Sequence, residues 1–368
     1  MRRSAEKSAS GDATAHFRMS IIVIIAACGD TERNSLSWRA LMHRNGGSFP
    51  NMEHIVAETS SDFAQAVLAG LGQPRKTIPA RFFYDEAGSA LFEDITRLPE
   101  YYPTRIETEL LRRHGMEIAD LVGRGRPLIE FGSGSSAKTP LMLEALETPV
   151  YVPIDISGDF LAASAAALAQ AHRQVRVHPI AGDFTGPLRL PVLARPLVGF
   201  FPGSTLGNFP HAAAVDLLRS FRGTLGARAW LIIGIDTRKE AAILEAAYDD
   251  ASGVTAAFNL NLLHRVNREL GGTIDVDSFA HRALWNDAVG RVEMHLVATR
   301  PMRFRAAGSV FEMAEGESIH TENSYKYTAE ETRLLARTAG WQPVKSWFDA
   351  DQQFGLHLWS APETILEP

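Results

Sequence analysis

A ten-residue stretch, Glu130-Phe131-Gly132-Ser133-Gly134-Ser135-Ser136-Ala137-Lys138-Thr139, follows a short apolar run and precedes a helical pattern. Glycines after a buried strand let the backbone approach a ligand closely, and the next helix N-terminus favours negative charge. GSGSSAKT is a near miss to the phosphate-binding pattern G-x-x-x-x-G-K-[ST], with Ala137 where the last Gly belongs. On that reading, Asp236 at the end of LIIGID would be the partnering metal-binding strand end. The same residues also form an acidic-x-Gly-x-Gly loop, which suits an adenosine-bearing cofactor. Asp155 ends the next strand pattern, about twenty residues on, where a carboxylate can accept both ribose hydroxyls. Gly182-Asp183-Phe184 ends the third, offering an acceptor for an adenine amino group and a ring to pack on it. Gly203-Ser204-Thr205-Leu206-Gly207-Asn208 ends the fourth, where the Asn208 amide can hold a carboxylate or an amine. This ordered series describes an adenosine ligand without a triphosphate. The plainer alternatives are helix caps at Asp155 and Asp183 and a simple turn around Asn208.

Other chemistries find little support. There is no H-E-x-x-H and no close His pair, the twelve histidines are scattered along the chain, and no metal site is expected. His172 and His178 flank a strand. No G-x-S-x-G elbow exists. Ser135 to Lys138 fits S-x-x-K, a pattern too short to count without its companions.

The elements that must position these residues come from strand–helix alternation. PLIEF, VYVPIDI, VRVHPIAGDF, PLVGFFPG and AWLIIGID read as five apolar strands separated by helices, which predicts a doubly wound, mostly parallel sheet with ligands at its carboxyl edge. Thr139 is expected to cap the helix after the glycine loop, with Pro140 at its first position. Ser157 should cap an Ala-rich helix to about Gln170. From about Lys239 to Lys326 long helical patterns and then RVEMHLVATR and MRFRAAG interrupt the alternation, as an inserted subdomain. It resumes with a helix to about Thr338 and two strands, VKSWFDA and FGLHLWSA. Upstream, Phe63, Val67, Leu68 and Leu71 recur at helical spacing behind Ser60, and RFFYDEAGSALFEDITRLPEYYPTR crowds rings into a short span that suits either core or a pocket wall.

The 368 residues suffice for two domains or one with an insert, and 45% apolar with 22% charged residues is ordinary for a globular protein. A net charge of −6 argues against nucleic-acid binding. The one cysteine, Cys28, rules out an intramolecular disulfide and fits a cytoplasmic protein. IIVIIAAC, at 21–28, is too short to span a membrane. Residues 1–51 read as a tail, with Met52 a sensible initiator.

Between about Ile78 and Trp359 the chain resembles the histidine-specific Nα-methyltransferases that use S-adenosylmethionine and make hercynine (trimethylhistidine) for ergothioneine synthesis. The resemblance rests on FYDEAGSALFEDITRLPEYYPTR, EFGSGSSAKT, PIDIS, GDF, GSTLGN, AYDDASGVTAAFNLNLLHRVNREL, RVEMHL and HTENSYKY. It implies a Rossmann-like class I methyltransferase fold of the α/β class, with a second, discontinuous α+β substrate domain. The methyltransferase domain is expected at 108–239 plus 329–368 and the substrate domain at 52–107 plus 240–328. The resemblance further implies cofactor contacts at Gly132, Lys138, Asp155, Asp183 and Phe184. Asn208 and Tyr248 are implied to hold the amino-acid end and to be the catalytic pair. Tyr84, Phe92 and Tyr101 are implied to surround the substrate, Glu322 and Ser324 to read the imidazole, and Met294 to line the same pocket. L-Histidine is then the small-molecule partner, and a monomer is expected. A methyltransferase for another amine, a nucleotide hydrolase and a catalytically silent cofactor-binding protein are the competing expectations.

Overall fold

The computed structural model describes residues 52–363, apart from 135 and 187. The tail at 1–51, the apolar run at 21–28 and Cys28 lie outside the described residues. The chain divides at Glu58/Thr59, with a compact second unit that begins at Thr59. The sheets, cores and cavity below all belong to the second.

Helix α1 (Met52–Leu71) starts eight residues before Ser60, so the expected serine cap is not one. Its Phe63, Val67 and Leu71 form a buried stripe at four-residue spacing. Strand β1 (Lys76–Thr77) and a turn lead into α2 (Glu86–Ile95), which Asp85 caps by accepting from Gly88 N at 2.8 Å. Helix α3 (Tyr102–Val122) carries Pro103 in its first turn and runs unbroken through the expected domain boundary at 107/108.

The alternation that follows is β2 (Leu128–Phe131), α4 (Thr139–Ala145), β3 (Val150–Asp155), α5 (Gly158–Ala171), β4 (Arg176–Val177), β5 (Ile180–Ala181), β6 (Val198–Phe201), α6 (His211–Leu225) and β7 (Trp230–Asp236). Lys138, not Thr139, occupies the N-cap of α4, because the Thr139 hydroxyl is spent on Glu130. Ser157 does stand at the N-cap of α5, without a side-chain cap bond. The third expected strand is broken into β4 and β5. His178-Pro179 interrupts it, and proline has no N–H to give to a ladder.

Next come α7 (Ala241–Tyr248), α8 (Val254–Leu270), β8 (Phe279–Asn286), β9 (Arg291–Ala298), β10 (Met302–Ala306), β11 (Ser309–Met313) and β12 (Ser318–Tyr325). Helix α9 (Ala329–Thr338), opened by a capping box at Thr328 and Glu331, and the strands β13 (Gln342–Phe348) and β14 (Phe354–Ser360) complete the fold.

The large sheet has the order β13-β14-β7-β6-β2-β3-β4, with β5 also on β3. Its strands are parallel except β14, which runs against both neighbours. This is a Rossmann-like, doubly wound arrangement with one antiparallel strand. Two apolar cores cover its faces, one around Phe131, Phe221 and Trp359 and one around Ile118, Tyr151 and Leu358. A second sheet, β1-β12-β9-β8, packs on α1, α2 and α8 through a third core that joins Phe63, Phe83, Leu262, Met294 and Ile319. Segments 63–102 and 244–319 thus share one core, although about 140 residues separate them.

Candidate active site

A cavity of about 720 Å³ opens at the carboxyl edge of the large sheet. It is lined by Gly132, Lys138, Asp155, Asp183, Phe184, Asn208, Tyr84, Phe92, Tyr101, Tyr248, Met294, Glu322 and Ser324. Every site residue expected from the sequence therefore reaches one space, and that space lies in the size range of small-molecule sites.

The glycine loop is held by buried polar contacts. Glu130, at the end of β2, accepts from Thr139 Oγ1 and Tyr151 Oη at 2.6 Å each. Burial pushes its carboxyl up to about 7, against the pull of those hydrogen bonds. Gly132 has φ of +70°, and a Cβ there would stand 3.2 Å from the Phe184 ring. The loop backbone and that ring enclose the space between them, and any side chain at 132 would intrude. Asp155 accepts from Gly134 N and Ser157 N at 2.9 Å each, one on each oxygen. Each oxygen keeps a second lone pair for a ligand. Asp183 accepts from Thr185 N and Oγ1 through one oxygen alone. No helix begins after Asp183 and α5 begins after Ser157, so neither aspartate is a helix cap.

Lys138 is paired with Glu107, a wholly buried carboxylate on α3. Glu107 also accepts from Gly203 N at 2.9 and 3.1 Å, so one side chain ties the loop after β2 to the loop after β6.

The opposite wall comes from the second sheet and the aromatic segment. Tyr84, Phe92, Tyr101 and Tyr248 form an edge-to-face chain with centroid distances of 5.7, 6.3 and 6.3 Å. Phe258 of α8 packs on Tyr84 and Phe92. Met294 is buried and stands directly across from Glu322 in the β9–β12 ladder. A β-bulge at Thr321, anchored by bonds to Asn259 Oδ1 and Met294 O, shifts the register just before Glu322. Among the described residues no donor reaches the Glu322 carboxylate. Burial pushes it up to about 7, with Lys326 pulling the other way. Asn208 ends a short 3-10 turn (Thr205–Asn208), and its side-chain amide also has no protein partner among the described residues. Tyr248 Oη and Ser324 Oγ lie 2.7 Å apart.

Reasoning from sequence did not single out Glu107, Phe258, Lys239 or Lys326 as site residues. Asp236, weighed as a metal-binding strand end, is instead buried between the Lys239 and Lys326 ammoniums at 2.5 and 2.8 Å. Those lysines hold its carboxyl low despite burial, which leaves no room for a metal. The expectation of scattered histidines also needs correction. The β9–β12 register stacks His295 on His320 at 4.8 Å, next to Glu293. These three could approach a metal ion, but they do not line the cavity.

Residues 63–361 match the family described as histidine-specific methyltransferase, SAM-dependent. This chain belongs to that family. The protein is an S-adenosylmethionine-dependent methyltransferase. Among relatives, the histidine N-alpha-methyltransferase of Mycolicibacterium smegmatis is 38% identical over 313 residues, 83% of this chain and 97% of that one. That of Mycobacterium tuberculosis is 40% identical over 299 residues, 79% and 92% of the two chains. Ergothioneine biosynthesis protein 1 of Neurospora crassa is 31% identical over 296 residues, which are 77% of this chain and 33% of the fungal one. Among the described residues no helix is long and apolar enough to cross a membrane.

Proposed function

We propose that the protein transfers methyl groups from S-adenosylmethionine to the α-amino nitrogen of L-histidine, up to trimethylhistidine, as the first step of ergothioneine synthesis. The carrying observation is Glu322, a carboxylate in the cavity wall that no donor among the described residues satisfies. A buried acceptor left open calls for a ligand donor, and an imidazole N–H is one. An amino acid without that donor leaves the carboxylate unpaired, which costs about 1–3 kcal/mol or more.

The cofactor half of the cavity fits the adenosine moiety. Asp155 is assigned to the ribose hydroxyls, Asp183 and Phe184 to the adenine, and Gly132 with Lys138 to the methionine part. S-Adenosylmethionine supplies an electrophilic methyl on a sulfonium. The chain's own residues then have three tasks. Asn208, with its free amide, and Tyr248 grip the amino-acid end and aim the amine, and positioning of this kind can supply several kcal/mol of a barrier. Met294, Glu322 and Ser324 fix the imidazole. Tyr84, Phe92 and Tyr101 close the wall, exclude water and leave π faces for a growing ammonium. A desolvated site lowers the pKa of the amine, so that nitrogen can present its lone pair.

Segments 52–107 and 240–328 are assigned to substrate recognition, 108–239 and 329–368 to the methyltransferase domain. A monomer is assigned, and the lone cysteine supports the cytoplasm. The test is a competition assay that follows S-adenosylhomocysteine release with histidine, tryptophan, tyrosine and histamine. Histidine should dominate in the native enzyme, and Glu322→Ala should lose histidine turnover while cofactor affinity is kept. Equal loss of both contradicts the role given to Glu322.

A further inference from the structure

Beneath Tyr248 and Ser324 lies Lys326, a lysine with no exposed surface. Its ammonium donates to Tyr248 Oη at 2.9 Å and to Ser324 Oγ at 2.8 Å, and it sits 2.8 Å from Asp236 Oδ2. An ammonium has three N–H bonds and no lone pair, so all three are committed. Both hydroxyl oxygens must act as acceptors toward it, and their own protons point elsewhere. The two oxygens are 2.7 Å apart, so one hydroxyl donates its hydrogen bond to the other. With Ser324 donating to Tyr248, the O–H that remains is that of Tyr248, its outlet is the cavity that both residues line, and Ser324 Oγ keeps a lone pair for an imidazole N–H. A hydroxyl that accepts from a cation is a stronger donor.

The charges around this hydroxyl pair are also uneven. Asp236 Oδ1 accepts from Lys239 at 2.5 Å, and Tyr102 Oη donates to both carboxylate oxygens. Two ammoniums thus face one carboxylate. Burial brings Lys239 down to about 8, which leaves it largely cationic at neutral pH. Glu322 is the other acid that influences Lys326, and it makes no hydrogen bond to it. At this end of the cavity the hydroxyl pair is thus backed by Lys326 and, one step further, by Lys239, with Glu322 beside it.

We propose that Lys326 is a positioning residue that selects substrates bearing a carboxylate, by turning the free hydroxyl of the Tyr248–Ser324 pair into the cavity and lending it cationic character. This rests on histidine as the substrate and assigns its α-carboxylate to that hydroxyl. Amines of the same shape without a carboxylate, histamine among them, gain nothing from the arrangement.

Calorimetric binding of histidine and of histamine to the full chain, with S-adenosylhomocysteine present, tests it in the native protein, Lys326→Met and Lys239→Met. In Lys326→Met the histidine Kd should rise about ten- to hundredfold, the loss of one charge-assisted hydrogen bond, while the histamine Kd moves less than about threefold. S-Adenosylhomocysteine affinity reports that the fold is kept. Should Lys326→Met fail to fold, Lys239→Met removes the second cation while leaving both hydroxyls their bonds to Lys326. It should weaken histidine at least about threefold and leave histamine unchanged. Equal weakening of both ligands, or of neither, overturns the proposal. Methyl transfer is scored separately in the native enzyme. Absence of methylhistidine would contradict the substrate reading, while the two Kd ratios would still decide the role of Lys326.

Discussion

Gly207 and Tyr325 are in backbone contact. A Cβ built on Gly207 would come within 2.7 Å of the Tyr325 carbonyl oxygen and 3.2 Å of its nitrogen. The turn after β6 is thereby pressed against β12, so Asn208, from one sheet, is held near Ser324, from the other. Gly207→Ala should force the two backbones apart. We expect a loss of about 1–3 kcal/mol in stability, the usual cost of overpacking, and a rise in the KM for histidine that exceeds the change for the cofactor. Chemical denaturation and steady-state kinetics check both, and an unchanged KM would contradict the positioning role of this contact.

Glu322 predicts a pH signature. Its carboxyl takes a proton at about 7 in the folded protein, above the ordinary value of 4.5. The folded state thus holds that proton more tightly than the unfolded chain. The resulting destabilisation is absent below pH 4.5, grows through the window up to about 7, and is full above it. Glu322→Gln should therefore melt higher than the native protein at pH 8, by about 1–3 kcal/mol since the cavity leaves the group some solvent, and the gap should close near pH 4.5. A gap independent of pH would show that burial of the charge is not its cause.

Glu107 ties Lys138 to Gly203 from a fully buried position. Glu107→Ala removes the carboxylate that links them and takes the ion-pair partner from the partly buried Lys138 ammonium. We expect about 3–5 kcal/mol of destabilisation and weaker binding of S-adenosylhomocysteine, measured by calorimetry. Cofactor affinity equal to that of the native protein would separate the clamp from the cofactor site.

Gly132→Ala combines a left-handed φ with a 3.2 Å approach to Phe184. Cofactor affinity should fall at least about tenfold, since the new methyl sits between loop and ring. Histidine affinity measured without the cofactor should stay within about twofold; a matching loss there would mean that the whole cavity had shifted.

Much of this architecture is legible in the residues because it is local. Apolar strands ending in Asp155, Asp183 and Asn208 announce both the sheet and its carboxyl edge. The aromatic segment is different, since nothing in Tyr84 or Tyr101 tells a pocket wall from a core seam, and here the rings serve as both. Contacts that depend on register escaped. The bulge at Thr321 aims Glu322, and no composition signal marks it. Strand β8, with alternating polar residues in FAHRALWN, does not stand out beside the helical pattern before it. Lys326 reads as an ordinary surface lysine in SYKY, yet it is wholly buried because Asp236, 90 residues away, meets it there. A pairing across such a separation is set by the fold and by no spacing along the chain.

The central claim is that one cavity brings a methyl donor to the α-amine of histidine. Mass spectrometry of the purified full chain with L-histidine and S-adenosylmethionine tests it most directly. The account predicts histidine carrying one, two and finally three added methyls, all on the α-nitrogen, with one S-adenosylhomocysteine released per methyl. Cofactor binding without any methylated histidine, or methyls on the imidazole, would contradict it.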